Sequence, residues 1–341
     1  MEFNDIVKLA KAVAKADRSK PIAYSFGDKN YGYAEMNEAL RAEFAALAPD
    51  YRTYKTNQNT IFALIEAVVD EVLPLKAIEK YGDFAEIKTF NQGDKPIFTQ
   101  KISSSSKNRA KQFIGKVGLA GIYEVFKLEK STFEISTTAV GGAAQIGFED
   151  FLDGRVDFAD ILEIVMDGID QCIYTEIGKQ LIGAVGNIQP ANLSTQTTFN
   201  EKEMDRLLAI ADSYGGRGVI YCTFEFAATM IPSDARWASN EMKNTLWSNG
   251  YIGNYKNHQV VVLPQAFEDE TNRKKVLDPA YAWIFSTNGE KPVKVALEGD
   301  TIIDEYANYD RSKEIQAYKK MGVGVIFSND VCVYQNTSLT R

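Results

Sequence analysis

Apolar residues near the start of the chain, Phe3, Ile6, Val7, Ala10, Val13 and Ala14, recur at helical spacing and predict an amphipathic helix. Ser19, Pro21 and Gly27 interrupt it, and a helical pattern resumes over 33–48 before Pro49. Four tyrosines, Tyr24, Tyr31, Tyr33 and Tyr51, stand among turn residues here. Such a segment buries its aromatic surface either along another subunit or against its own domain. A further helix is expected over 60–73, with Ile61, Leu64, Ile65, Val68, Val69 and Val72 on one side and Pro74 as its stop.

The pattern changes at residue 83. Residues 84–90 alternate like a strand, 91–94 (Asn-Gln-Gly-Asp) carry turn chemistry, and 95–102 continue extended. After the serines of 103–106, alternation returns over 123–138, which predicts a long two-stranded excursion with a polar, Ser- and Gly-rich tip. Residues 156–185 then read as one helix of about 30 residues, about 45 Å long. Phe158, Ile161, Leu162, Val165, Met166, Ile169 and Ile173 share one of its faces, and Asp153, Asp157, Asp160 and Asp167 the opposite one.

Beyond Pro190 a second compact unit is expected. It holds a helix over 200–213 capped by Asn200 or Thr198, a turn at 215–218, a strand over 219–224 and a helix over 241–248. A hairpin follows over 250–264, its second strand wholly apolar from Val260 to Leu263, and another strand covers 280–286. Toward the end, strands are expected at 293–297, 301–304, 322–327 and 331–334, with a polar stretch over 305–320. No repeat of solenoid or propeller period is visible.

The 341 residues suffice for two lobes or one elaborated domain, and 45% hydrophobic with 25% charged residues is ordinary globular composition. No apolar run reaches the roughly 20 residues of a membrane helix, and the first residues lack a signal-peptide core, so cytoplasm-like conditions and no membrane partner are expected. Cys172, Cys222 and Cys332 stand far apart without a CxxC pair; all three read as buried small apolar groups. The net charge of −8 opposes phosphate-neutralising capture of nucleic acid. The single histidine, His258, leaves little room for His-based metal or triad chemistry, and its place at a hairpin turn suggests an exposed or capping imidazole. Glycines at 215–218 and 322–324 fit neither GxGxxG nor a P-loop, and Ser103–Ser106 have no neighbouring base. Neither a catalytic residue nor a cofactor is expected.

Charge is unevenly placed. Lys88, Lys95, Lys101, Lys107, Arg109, Lys111 and Lys116 face one acid, Asp94, giving the excursion a local charge of +6 on an acidic protein. Residues 149–176 hold nine acids and one base, Arg155. That acidic helix face is a solvated surface, a contact for a basic partner, or a metal cluster. The contact reading pairs Lys101, Lys107, Arg109 and Lys111 of one chain with Asp153, Asp157, Asp160 and Asp167 of another.

The order of arm, helix, long basic hairpin, acidic-faced helix, compact α/β insertion and returning strands resembles the major capsid proteins of tailed double-stranded DNA bacteriophages, the Hong Kong 97-type fold. The resemblance implies an α+β chain with an N-terminal arm (1–57), a peripheral-domain helix and connection (58–82) and an extended loop (83–147). The peripheral domain with its spine helix (148–194), an inserted axial domain (195–297) and a return to the peripheral domain (298–341) follow. In that family the extended loop lies over the neighbouring subunit, a heterologous contact that builds rings and closed shells.

The function so implied is a self-assembling virion protein, in hexamers and pentamers of an icosahedral head shell. It encloses double-stranded DNA without sequence-specific binding and assembles in the host bacterial cytoplasm, with portal, scaffolding and decoration proteins as further partners. Two alternatives stay open: an encapsulin-type nanocompartment enclosing a protein cargo, and a soluble α/β enzyme with a metal on the acidic helix face.

Overall fold

The computed structural model describes residues 3–15, 24–26, 29–100, 131–145, 158–214, 216–231, 240–268, 271–287, 290–307, 313–326 and 328–339. In chain order the elements begin α1 (Phe3–Lys15), β1 (Tyr24–Phe26), β2 (Lys29–Tyr31), α2 (Tyr33–Leu47), α3 (Tyr51–Tyr81), β3 (Ala85–Phe90) and β4 (Ile97–Gln100). Next come β5 (Ser131–Glu134), β6 (Thr138–Gln145), α4 (Phe158–Ala184), β7 (Leu193–Gln196), α5 (Glu201–Ser213), β8 (Gly218–Thr223) and α6 (Phe224–Thr229). The remainder is α7 (Asn240–Asn249), β9 (Asn254–Tyr255), β10 (His258–Leu263), β11 (Tyr281–Ser286), β12 (Val293–Ala307), β13 (Lys313–Val325) and β14 (Cys332–Asn336). The class is α+β, as the resemblance implied.

The first helix does not stand away from the body. Ile6, Val7 and Ala10 are buried in one core with Leu40 of α2 and Ile61, Leu64, Ile65 and Val68 of α3. The expected helix over 60–73 is longer at both ends. It starts at Tyr51, where the Asp50 carboxylate accepts the Thr53 N–H at 2.8 Å as an N-cap. It also runs through Pro74 to Tyr81, a correction to the expected stop. Proline removes one helical hydrogen bond, at a cost of about 3 kcal/mol. Burying Ala77 and Tyr81 beyond it, in register with Leu73, offsets that cost, since one buried large side chain contributes about 1.5–3 kcal/mol.

Two sheets carry the rest. The four-stranded sheet has the order β3-β12-β13-β6, with β12 parallel to β3 and antiparallel to β13, and β6 antiparallel to β13. The expected polar stretch over 305–320 is largely ladder: β12 reaches Ala307 and β13 starts at Lys313. Main-chain pairing, rather than apolar alternation, makes this part of the ribbon, which is why the sequence pattern concealed it. A register shift between Glu298 and Ile302, with Gly299 at φ 70°, bends β12 midway. β4 and β5 pair antiparallel as the root of the predicted excursion, whose residues 101–130 lie outside the described set.

The six-stranded sheet has the order β7-β14-β11-β8-β10-β9. Asn200 caps α5 through the Lys202 N–H, and Met204, Leu207, Leu208 and Ala211 pack that helix on the sheet. Lys256 (φ 45°) and Asn257 (φ 70°) form the left-handed pair that a two-residue hairpin turn between β9 and β10 requires. β10 then pairs parallel with β8 through Val260–Leu263, while the two-residue β9 covers only His258 and Gln259 on its other side. Val293–Leu297 belong to the four-stranded sheet beside β3, and β14 lies in the six-stranded sheet between β7 and β11. Of the cysteines, Cys222 and Cys332 are buried, while Cys172 is exposed on α4, against the expectation that all three lie inside.

Candidate functional site: the hairpin root and the long helix

α4 forms because apolar residues recur along it. Met166, Ile169, Ile173, Ile177 and Leu181 are buried against the main core, leaving the opposite face to solvent. Asp167 is exposed on that face. Asp160 lies in the first turn of α4, and the placement of its side chain is not described. Asp153 and Asp157, like Lys101, Lys107, Arg109 and Lys111, lie outside the described residues, so the structure neither joins nor separates these two sets. Asp170 of α4 pairs with Lys80 and accepts the Tyr81 hydroxyl at 3.1 Å, tying α4 to the end of α3.

The root of the excursion is built firmly. Phe98 of β4 is fully buried with Ile135 and Ala296, flanked by Phe90 and Phe133. Beside it the Glu298 carboxylate accepts the Gly93 N–H at 3.1 Å and the Thr137 hydroxyl, and lies 3.6 Å from Lys320 Nζ. The Thr137 hydroxyl first, then the Gly93 N–H, hold its pKa below the usual glutamate value. One carboxylate thus fixes the outgoing turn at 91–94, the returning segment at 137 and the β12–β13 ribbon together. A cleft of about 470 Å³ opens between this root, β13 and the last turns of α4, lined among others by Glu134, Ser136, Glu176, Gln180, Gly322 and Gly324. The two glycines let the returning segment sit on β13: a Cβ at Gly322 would lie 2.5 Å from the Ser136 carbonyl oxygen, and one at Gly324 2.7 Å from the Phe133 ring.

Sequence reasoning missed the seam between α3 and the ribbon. β3 pairs with β12 only as far as Glu298. Beyond that point α3 takes over the same strand. Thr301 N–H donates to Asp70 at 2.9 Å, Ile303 N–H donates to Glu66 at 2.8 Å, and Glu305 accepts from Tyr54 and Gln58 at 2.7 and 2.8 Å. The match is geometric. Four residues of helix advance about 6 Å, close to the roughly 6.8 Å of two residues of strand. Carboxylates one helical turn apart therefore meet alternate strand amides. Lys319, 3% exposed on β13, completes the seam with Nζ 2.5 Å from Asp70 Oδ1 and 3.1 Å from the Gly299 carbonyl oxygen. Lys294, also 3% exposed, is paired with Glu86 on β3. The one signal available was the Glu66-Asp70 spacing on a helix whose other side is apolar.

Of the residues weighed for chemistry, His258, Gly218, Gly322 and Gly324 are placed by the described structure. His258 is mostly buried, with Nδ1 3.0 Å from the Gly218 carbonyl oxygen and Nε2 3.6 Å from Asp212, so it links β10 to the start of β8. Gly218, Gly322 and Gly324 lie in strands, and Ser103–Ser106 lie outside the described residues. Among the described residues no group of three or more His, Cys, Asp or Glu side chains is placed to hold a metal ion, and no helix is long and apolar enough to cross a membrane. Burial pushes the Cys222 and Cys332 thiols up to about 12.

Comparison with solved structures finds similar chains in phage and virus-like shells. The chain of the satellite phage P4 procapsid that includes the size determination (Sid) protein is 12% identical at a TM-score of 0.47, over 78% of this chain and 90% of that one. The head of Helicobacter pylori bacteriophage KHP40 gives 11% identity and a TM-score of 0.46, over 76% and 91%. The virus-like particle of Pyrococcus furiosus gives 10% and 0.42, over 78% and 98%. No curated protein matches the chain in sequence. The family described as "SPbeta prophage-derived putative capsid protein YonB" matches residues 6–335. With nearly its whole length so matched, the chain belongs to the YonB family of prophage-derived capsid proteins.

Proposed function

We propose that the chain is the major capsid protein of a tailed double-stranded DNA phage, of Hong Kong 97-type architecture, and that it self-assembles into an icosahedral head shell. The observation that carries this reading is the capsid-family match over residues 6–335. The order of helical arm, rooted hairpin, long helix and inserted six-stranded sheet agrees with it. Hexamers and pentamers form through repeated heterologous contacts. In each contact the basic loop bearing Lys101, Lys107, Arg109 and Lys111 lies on the acidic face of α4 and its leading segment, with Asp153, Asp157, Asp160 and Asp167, in the neighbouring copy. Charge sets register and encounter there, while apolar burial supplies most of the stability. The finished shell is a virion component assembled in the host cytoplasm. It holds its genome without sequence-specific contacts, in keeping with the −8 net charge. Portal, scaffolding and decoration proteins are its further partners, and its work is structural rather than catalytic.

The test is a charge reversal, Lys107→Glu with Arg109→Glu and Lys111→Glu. Folded subunits that no longer form shells are expected; normal particles from the triple variant would overturn the loop-to-helix pairing. The contents of shells purified from lysogenic cells decide between a phage head, which holds DNA, and a nanocompartment, which holds protein.

A further inference from the structure

Among the described residues, β3, the second half of β12 and β6 each leave strand edge to manage, and the first two are managed within the chain. β3 carries Glu86 and Lys88 along its length, and the free half of β12 is covered by the carboxylates of α3. β6 is different. It spans eight residues, Thr-Ala-Val-Gly-Gly-Ala-Ala-Gln, with no charge and no proline. It pairs with β13 on one side only, Ala139, Gly141 and Gly142 are exposed, and among the described residues no strand pairs with its outer edge. An uncharged row of unpaired N–H and C=O groups of this length is a template for another strand.

The same chain carries an element with the opposite deficiency. Among the described residues, β1 and β2 form a two-stranded sheet joined to no other strand, three residues to a side. A hairpin that small is marginal in water and gains stability from a third strand or from packing on a helix. Its sequence, Tyr24-Ser-Phe26 and Lys29-Asn-Tyr31, is aromatic, and among the described residues no atom lies within 4 Å of a Cβ built at Gly142. Aromatic residues on a neighbouring strand cover such glycine positions well. β1–β2 does not pair with β6 of its own chain.

We infer that the outer edge of β6 is a strand-pairing interface for the β1–β2 hairpin of a second copy of this chain. The pairing extends one subunit's sheet with the next subunit's arm by main-chain hydrogen bonds. It rests on the reading of the chain as a shell protein and uses a surface separate from the loop and helix charges.

Cysteine pairs in assembled shells test it. Facing residues of adjacent strands have Cα atoms about 4.5–5.5 Å apart, within disulfide reach. In a Cys172→Ser background, Ser25→Cys or Asn30→Cys is combined in turn with Ala139→Cys, Gly142→Cys and Ala144→Cys, and shells are oxidised and run on denaturing gels. Covalent oligomers from at least one pair, absent when either cysteine is omitted, are expected. Shells of normal size with no linked species from any pair would overturn the inference and leave the shell reading standing. A parent chain that forms no shells even with scaffolding protein supplied would overturn both. Ala139→Lys gives an independent readout: a charge on the edge should lower shell yield without altering the unfolding midpoint, and unchanged yield would count against the interface.

Discussion

Thr301 donates its main-chain N–H to the Asp70 carboxylate at 2.9 Å, across 231 positions of sequence, where a strand would otherwise need a neighbour. Asp70 also holds Lys319, whose ammonium is almost wholly buried. Removing the acid leaves that charge uncompensated, a loss of about 3–5 kcal/mol for a fully buried pair and toward the lower figure here because Asp70 is partly exposed. Asp70→Ala should therefore lower unfolding stability by about 3 kcal/mol, and Asp70→Ala combined with Lys319→Met should recover much of it. Denaturant titration of the isolated subunit reads both.

The seam also shows where sequence reading stops. Repetition made α1, α2, α4 and α5 legible, because each buries one face and the face repeats. Pro74 misled because the rule for a proline stop is local, while the burial that carries α3 past it belongs to Ala77 and Tyr81 in a distant core. Lys294, Lys319, Glu298 and Asp70 look like surface residues in the sequence, and their pairing is set by contacts between strands far apart in the chain. The polar run over 305–320 concealed two strands for the same reason. The hairpin root was legible as alternation, but the fixing of that root by Glu298 was not. The residues proposed for the contact itself, at 101, 107, 109, 111, 153 and 157, fall outside the described set.

Pro74 gives a second prediction. Alanine restores the missing N–H without altering the buried side of α3, and its helix propensity exceeds that of proline by about 3 kcal/mol. Part of this is cancelled because proline also restricts the unfolded chain. Pro74→Ala should raise the stability of the subunit by about 1–2 kcal/mol, seen as a higher denaturation midpoint with an unchanged slope.

Phe98 anchors the root of the hairpin. Phe98→Ala removes a fully buried ring and should cost about 3–5 kcal/mol where the site cannot collapse. The loss should be local: hydrogen exchange is expected to accelerate in β4 and β5 while β8 and β11 stay protected. Equal acceleration in both sheets would show that the root is not an independent unit.

Two glutamates respond to acid in opposite senses. Glu298 has a folded pKa below its ordinary 4.5, so its stabilisation is present above that value and is lost as pH falls through the lowered one. Glu66 is raised, first by burial, so its contribution is fully present below 4.5 and is lost as pH rises through the folded value. Glu298→Gln should flatten the acid side of the stability profile. Glu66→Gln, which keeps an acceptor for the Ile303 N–H, should steepen it and preserve stability at neutral pH. Unfolding curves between pH 3 and pH 7 separate the two signs.

The most direct test of the central claim is negative-stain electron microscopy with sedimentation velocity on the chain produced alone in bacteria. Closed shells or capsomer-sized rings are the predicted result. A monodisperse monomer that persists when scaffolding protein from the same prophage is supplied would contradict it.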